Sequence, residues 1–280
     1  MTIRGGPPRL VLLALPALAS LLLGCGVRST SPAAGTFTPR TKGVLTVAMS
    51  GFPTQGFWEG SSPAHPTGGL EYELARDLAS RFGLGTVRVV VKHFHQIVAG
   101  DLGGADLALD LITPTSQRAQ HLAFSAPYLV AAPTIVVRSG ISVPDLRTAQ
   151  SLRWGATRAT LFIDDIRQRI DPNAPARIYD QETEMMTALD RGQINAVLLD
   201  LPLAVATARQ SGGRLQVAAQ LPVTESIAAA LPPDSSNLQG VSSAIRAFLA
   251  NGTINRLLER WVGSSAADAE TAIPLLNTTR

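Results

Sequence analysis

The chain has one cysteine, Cys25, in 280 residues. That excludes an internal disulfide framework and a multi-cysteine zinc site. Charged residues are scarce at 16%, and no run of like charge occurs. The formal charge of +3 carries little meaning, because without Arg4 and Arg9 the count is 22 basic against 21 acidic residues. A nucleic-acid binder needs a basic patch, and here the basic residues are scattered. No internal repeat is present. Only Leu10–Leu23 forms a long apolar run; Pro16 breaks it, and it is too short to span a bilayer.

What is present is a 45% hydrophobic chain, long enough for one large or two modest domains with a packed core. Arg4 and Arg9 followed by Leu10–Leu23 have the form of an export signal. The run closes on Leu22-Leu23-Gly24-Cys25, which resembles a bacterial lipoprotein signal. The resemblance implies cleavage before Cys25 and lipid attachment to its sulfur; a plain signal with an incidental cysteine is the competing reading. Residues 26–42, rich in Ser, Thr, Pro, Gly and Ala, read as a flexible tether between membrane and fold.

Beyond the tether, strands and helices alternate. Strands are predicted at 44–48, 87–91, 106–111, 134–138, 153–157, 177–179, 195–199, 214–218 and 226–230. Residues 49–69, with five glycines and three prolines, read as a long loop. Helices are predicted at 70–82, where Leu70, Leu74, Leu78 and Phe82 share a face and Gly83 stops the helix, and at 161–170. Others are predicted at 181–190, near 203–210, at 237–250 and at 253–261. Asp180 is the expected cap of 181–190, with Glu182 and Glu184 in its first turns. This alternation predicts an α/β fold with largely parallel sheets, whose ligands sit beyond the carboxyl ends of the strands.

Two stretches occupy such positions. Thr113-Pro114-Thr115-Ser116-Gln117-Arg118 follows the 106–111 strand, and Asp200 follows the 195–199 strand. A guanidinium beside hydroxyls suits a carboxylate, which it grips with two charge-assisted hydrogen bonds. Asp200 also stands where a helix N-cap would, before Leu201-Pro202.

Four segments carry a family resemblance: Gly69–Ala75; Thr115-x-x-Arg118 with Phe124-Ser125-x-Pro127-Tyr128; Gly192–Asp200; and Asn251–Ile254 through Trp261-Val262-Gly263. In this order, from about 43 to 263, they resemble the family 3 extracellular solute-binding proteins, the polar-amino-acid receptors of ABC importers. The resemblance implies a two-lobed periplasmic-binding-protein type II fold with two hinge crossings, near 134–139 and 226–231. Lobe one takes 43–137 and 231–263, lobe two takes 138–230, and 264–280 forms a tail. Arg118 would clamp an α-carboxylate, with Thr113 beside it. Thr160 would meet the ligand from lobe two, or cap a helix, and Asp200 would pair with the α-amino group. Trp58 or Phe57 would supply an aromatic wall, while Tyr128 reads as structural. Leu111 and Ala159 stand where the family has small residues or glycine, and Leu111 would narrow the amino-group end of the pocket.

The implied function is a monomeric, lipid-anchored, extracytoplasmic receptor that hands an amino-acid-like solute to a membrane permease, with no cofactor, metal or nucleic acid. An enzyme of dehydratase type on the same scaffold, with His65, His93, His95 or His121 as acid or base, is the alternative; a sensor uncoupled from import is another. With 17 residues after Gly263, a fused lytic domain is not expected.

Overall fold

The computed structural model describes residues 1–2, 6, 36–263, 271 and 273–277. The expected signal core, Cys25, residues 26–35 of the tether and most of the tail lie outside the described residues. Every element below belongs to one compact unit, Ala34–Arg280. Among the described residues no helix is long and apolar enough to cross a membrane.

The chain enters on β1 (Val44–Met49). The expected loop that follows holds a small antiparallel hairpin, β2 (Glu59–Ser62) and β3 (His65–Gly68). Its glycines and prolines hid it, because the pairing is irregular at Gly60. Helix α1 (Leu70–Arg81) buries Leu70, Leu74, Ala75 and Leu78 as the four-residue spacing predicts, with Gly83 just beyond its end at φ 69°. It begins at Gly69, where a Cβ would lie 2.1 Å from the Phe57 carbonyl oxygen, so only glycine fits.

β4 (Thr86–Val91), α2 (Phe94–Val98) and β5 (Leu107–Ala108) follow. β5 is much shorter than the predicted 106–111 strand, because the chain leaves the sheet at Asp110. β6 (Ala123–Ala131) and β7 (Pro133–Arg138) are joined through Ala132 alone. Pro127 inside β6 masks its strand character in the sequence.

The remaining elements are α3 (Leu146–Ser151), β8 (Trp154–Thr157), α4 (Phe162–Asp165) running into a π-helical turn at Ile166–Ile170, and β9 (Arg177–Tyr179). Then come α5 (Glu182–Asp190), β10 (Ala196–Asp200), α6 (Leu201–Gln210), β11 (Leu215–Gln220), β12 (Glu225–Leu231), α7 (Leu238–Ala250) and α8 (Thr253–Trp261). Gln181, not Asp180, occupies the N-cap position of α5, and no side chain caps that end. Asp180 instead accepts from Arg158 Nε at 2.6 Å.

Two five-stranded sheets result, ordered β4-β1-β5-β12-β6 and β11-β7-β10-β8-β9. In the first, β1 runs parallel to β4 and β5. In the second, β8 runs parallel to both β9 and β10. Central strands are buried on both faces. In β10, Val197 and Leu199 enter one apolar cluster while Ala196 and Leu198 enter another. That is why they read as continuous apolar runs rather than alternating ones.

The crossings between the sheets fall earlier than expected. All of β7 pairs in the second sheet, and β12 pairs with β6 from Glu225 onward, opposite Ala131. The links are therefore Ala132 and residues 221–224, rather than 134–139 and 226–231. The tail adds a third connection. Leu275 bridges Gln220 in parallel, and the Leu276 N–H donates to the Gln220 carbonyl at 2.8 Å. Leu276 is 2% exposed within the apolar cluster of the second sheet. We predict that Leu276→Ala destabilises the fold by about 2–5 kcal/mol, the range for truncating a buried leucine. Chemical denaturation measures this, and a loss below about 0.5 kcal/mol would show that the tail is not docked.

Candidate functional site

The carboxyl ends of β1, β5, β8, β9 and β10 converge on one cleft between the sheets. Its walls include Ser50, Trp58, Glu71, Phe94, Asp110, Leu111, Thr113 and Arg118 from the first lobe. Thr157, Thr160, Phe162, Glu182 and Asp200 come from the second, and Glu225 from the start of β12. The cavity between them is about 60 Å³. A single water needs about 10–15 Å³ by this measure, so the space holds only a few waters.

Glu71 organises the first-lobe wall. It lies in the first turn of α1, yet is 1% exposed. Its Oε2 accepts from the Trp58 indole N–H at 2.8 Å; its Oε1 accepts from the Leu111 N–H at 2.9 Å and from the Tyr128 hydroxyl. Burial raises its pKa, and these three donors oppose the rise. Leu111 has φ 49°, a left-handed backbone that costs a branched residue about 1–2 kcal/mol. The bond to Glu71 holds it there.

Arg118 is 7% exposed at the start of a short 3₁₀ turn, with its N–H bonded to Thr115 Oγ1 at 3.1 Å. Nη1 donates to the Thr113 carbonyl at 2.8 Å. Nη2 donates to the Ala159 carbonyl at 2.9 Å, across the lobes. Ala159 sits at φ 65°, which aims that carbonyl at the guanidinium. The guanidinium carbon lies 5.3 Å from the Phe94 ring centroid. Burial lowers the Arg118 pKa, while Glu225, Asp200 and Asp110 support its charge.

Thr113 Oγ1 donates to Glu225 Oε2 at 2.7 Å. Thr160 Oγ1 donates to the Thr157 carbonyl at 2.8 Å, so it does not cap α4, whose N-cap position is Leu161. Asp200 takes the N-cap position of α6, but its carboxylate caps no N–H and faces the cleft.

Of the residues singled out in the sequence, Arg118, Thr113, Thr160, Asp200, Trp58 and Leu111 reach the cleft. Phe57 does not: it is fully buried in the first-lobe core beneath Gly69. Trp58 turns its indole N–H to Glu71, and Phe94 and Phe162 supply further aromatic surface. Of the acids, sequence reasoning found Asp200 but missed the others. Asp110 interrupts an apolar run, which was a legible signal. Glu182 read only as a dipole-favoured residue, and nothing marked Glu225.

Five carboxyl groups thus face one guanidinium. Asp110 Oδ1 accepts from the Ser50 N–H at 3.0 Å, while Oδ2 is shielded from solvent and has no partner. Burial, then the charge of Glu71, drives the Asp110 pKa well up. Burial and the neighbouring carboxylates Glu225, Glu182 and Glu71 do the same at Asp200, against the pull of Arg118. Burial and Glu71 push Glu182 up to about 7. Among the described residues no group of three or more metal-type ligands is assembled.

The sequence profile of the bacterial extracellular solute-binding proteins, family 3, matches residues 47–264. The chain belongs to this family. Among its relatives, the L-cystine-binding protein TcyJ of Escherichia coli K12 is 24% identical over 249 residues, 88% of this chain and 92% of that one. The membrane-bound lytic murein transglycosylase F of Ectopseudomonas mendocina is 28% identical over 205 residues; the match takes in 70% of this chain but only 42% of that enzyme. An amino acid ABC transporter substrate-binding protein from Streptococcus pneumoniae, solved with L-arginine, superposes with a TM-score of 0.69 at 24% identity. That alignment covers 79% of this chain and 94% of the solved one. The two-lobed fold of this family 3 chain follows, and its relatives include both binding proteins and an enzyme.

The raised carboxyl pKa values have a thermodynamic consequence. A group whose folded pKa exceeds its unfolded one holds its proton longer in the fold, so stability falls as pH rises between the two values. For Glu182 the window runs from about 4.5 to about 7. The melting temperature of the ligand-free protein is expected to fall across it, and Glu182→Gln to flatten the fall. Calorimetric scans at stepped pH check this; a melting temperature that climbs through the window contradicts the assignment.

Proposed function

We propose that this chain is the solute-binding receptor of an ABC importer and captures an α-amino acid or similar small zwitterion between its closing lobes. The observation that carries the reading is Arg118 in the first lobe and Asp200 in the second, both lining one cleft. A zwitterion's carboxylate takes the Arg118 donors now bound to the Thr113 and Ala159 carbonyls, and its ammonium takes Asp200. Neither lobe alone offers both partners, so binding and closure are coupled. Thr113 and Thr160 add hydroxyls on either side, Trp58 lines the wall, and Leu111 limits the room at the ammonium end. Ala132 and residues 221–224 serve as hinge. The cleft is complete within one chain, which supports action as a monomer.

The reading is of binding without chemistry, needing no cofactor. Among the described residues no histidine lines the cleft, and this reading gives His65, His93, His95 and His121 no role. Removing one partner of a buried charge pair costs about 2–5 kcal/mol. Arg118→Ala is therefore expected to abolish measurable heat when amino acids are titrated into the protein. Ligand recovered from the wild-type complex should be chemically unchanged. Unaltered affinity in the variant removes Arg118 from the site, and a converted ligand replaces the receptor reading with an enzymatic one.

The same reading places the chain outside the cytoplasmic membrane, tethered through a lipid on Cys25 and handing its solute to a membrane permease. Cys25→Ser is expected to move the protein from the membrane pellet to the soluble fraction of the producing cells. A variant that still sediments with the membrane rules out the thioether lipid as anchor.

A further inference from the structure

Thr113 is braced at two of its polar groups. Its carbonyl accepts from Arg118 Nη1 at 2.8 Å, and its hydroxyl donates to Glu225 Oε2 at 2.7 Å. A threonine hydroxyl has one proton and two lone pairs. With the proton given to Glu225, only lone pairs face the rest of the cleft. Glu225 is itself fixed by the fold. It is the first residue of β12, directly after the 221–224 link, and it pairs with Ala131, next to the other link at Ala132. Burial raises its pKa and Asp165 adds to the rise, while the Thr113 bond, Arg118 and Arg169 oppose it.

We propose that Glu225 is a positioning residue: it turns the Thr113 hydroxyl proton away from the solute, so that Thr113 accepts from the solute's α-ammonium instead of donating to its carboxylate. This rests on the receptor reading above and assigns the end of the zwitterion that Thr113 meets. Glu225 acts through Thr113 and need not touch the solute. A free hydroxyl rotates between donor and acceptor directions, and binding must then fix one of them. A hydroxyl already fixed as an acceptor needs no such ordering when the ammonium arrives. Arg118 keeps its own donors for the carboxylate, so the two ends of the solute meet groups of opposite hydrogen-bonding character at neighbouring points of one loop. The carboxylate of Glu225 sits on a strand between the two links, which holds the hydroxyl direction more precisely than a loop residue would.

The test is calorimetric titration of the full-length chain in mild detergent at pH 7.5. The common L-amino acids are titrated first, and the tightest binder becomes the probe. The same molecule without its α-ammonium is the control, with weak binding read by displacement of the probe. The ratio of the two affinities isolates the ammonium, because an effect of Glu225 on the carboxylate end is common to both. Glu225→Ala should lower that ratio about tenfold, the scale of one hydrogen bond to a charged group. Glu225→Gln, whose amide oxygen still accepts from Thr113, should hold the ratio within about threefold of wild type. In a Thr113→Val background, Glu225→Ala should change the ratio by less than about twofold, since the route through Thr113 is already gone. Equal losses in the two Glu225 variants show that its charge acts directly, and a loss that persists in Thr113→Val shows that it bypasses Thr113; either overturns the role. A control that binds more tightly to Glu225→Ala but not to Glu225→Gln shows the freed hydroxyl donating to the carboxylate, which overturns the assigned polarity. An unchanged ratio in Glu225→Ala removes the role and leaves the receptor reading intact. If no amino acid binds the wild-type chain, the receptor reading fails and this role with it.

Discussion

The buried carboxylate of Glu71 is the constraint on which the cleft depends. It gathers donors from three segments far apart in sequence: the indole of Trp58, the backbone of Leu111 and the hydroxyl of Tyr128. A carboxylate so buried is tolerable only because each oxygen is satisfied, and the three donors are tolerable in the core for the same reason. The network fixes where β5 ends and turns the chain at Leu111 into a left-handed conformation. Asp110 before that turn and Thr113 after it thereby face the cleft. The aromatic wall and the acidic floor are set by one group that need not touch solute.

Charge accounts for the next level. The cleft concentrates negative groups against a single guanidinium, and burial forces several of the acids to hold protons well above their usual range. Arg118 meanwhile spans the cleft through backbone carbonyls, one from each lobe. These contacts join the lobes across a cavity of about 60 Å³. Ala159, at a backbone angle better suited to glycine, supplies the second-lobe carbonyl. Strain of this kind persists where the surroundings over-determine it, and here the surroundings are the binding cleft.

Much of this was legible in the residues. The four-residue spacing of Leu70, Leu74 and Leu78 marked α1. The Thr115-x-x-Arg118 turn and Asp200 stood out by their places after strands, and Arg118 and Asp200 both line the cleft. The hairpin at 59–68 was not legible, because its glycines and prolines carry loop statistics while its pairing depends on a register no local pattern shows. β6 was hidden by Pro127, and the crossings were misplaced because apolar strands do not announce which sheet they join. Phe57 and Trp58 are adjacent aromatics in one loop; only packing under Gly69 decides that the first enters the core and the second the cleft.

By itself the sequence determined the alternation of strands and helices, the family, and the places of Arg118 and Asp200 after strands, because these rest on local periodicity and short motifs. Tertiary structure alone decided that Glu71, Asp110, Glu182 and Glu225, spread over 155 positions, share one buried space. It also decided that residues 273–277 return to the edge of the second sheet. Electrostatic character belongs to a volume rather than to a segment. A chain of nearly balanced charge can therefore fold around a site that is strongly acidic.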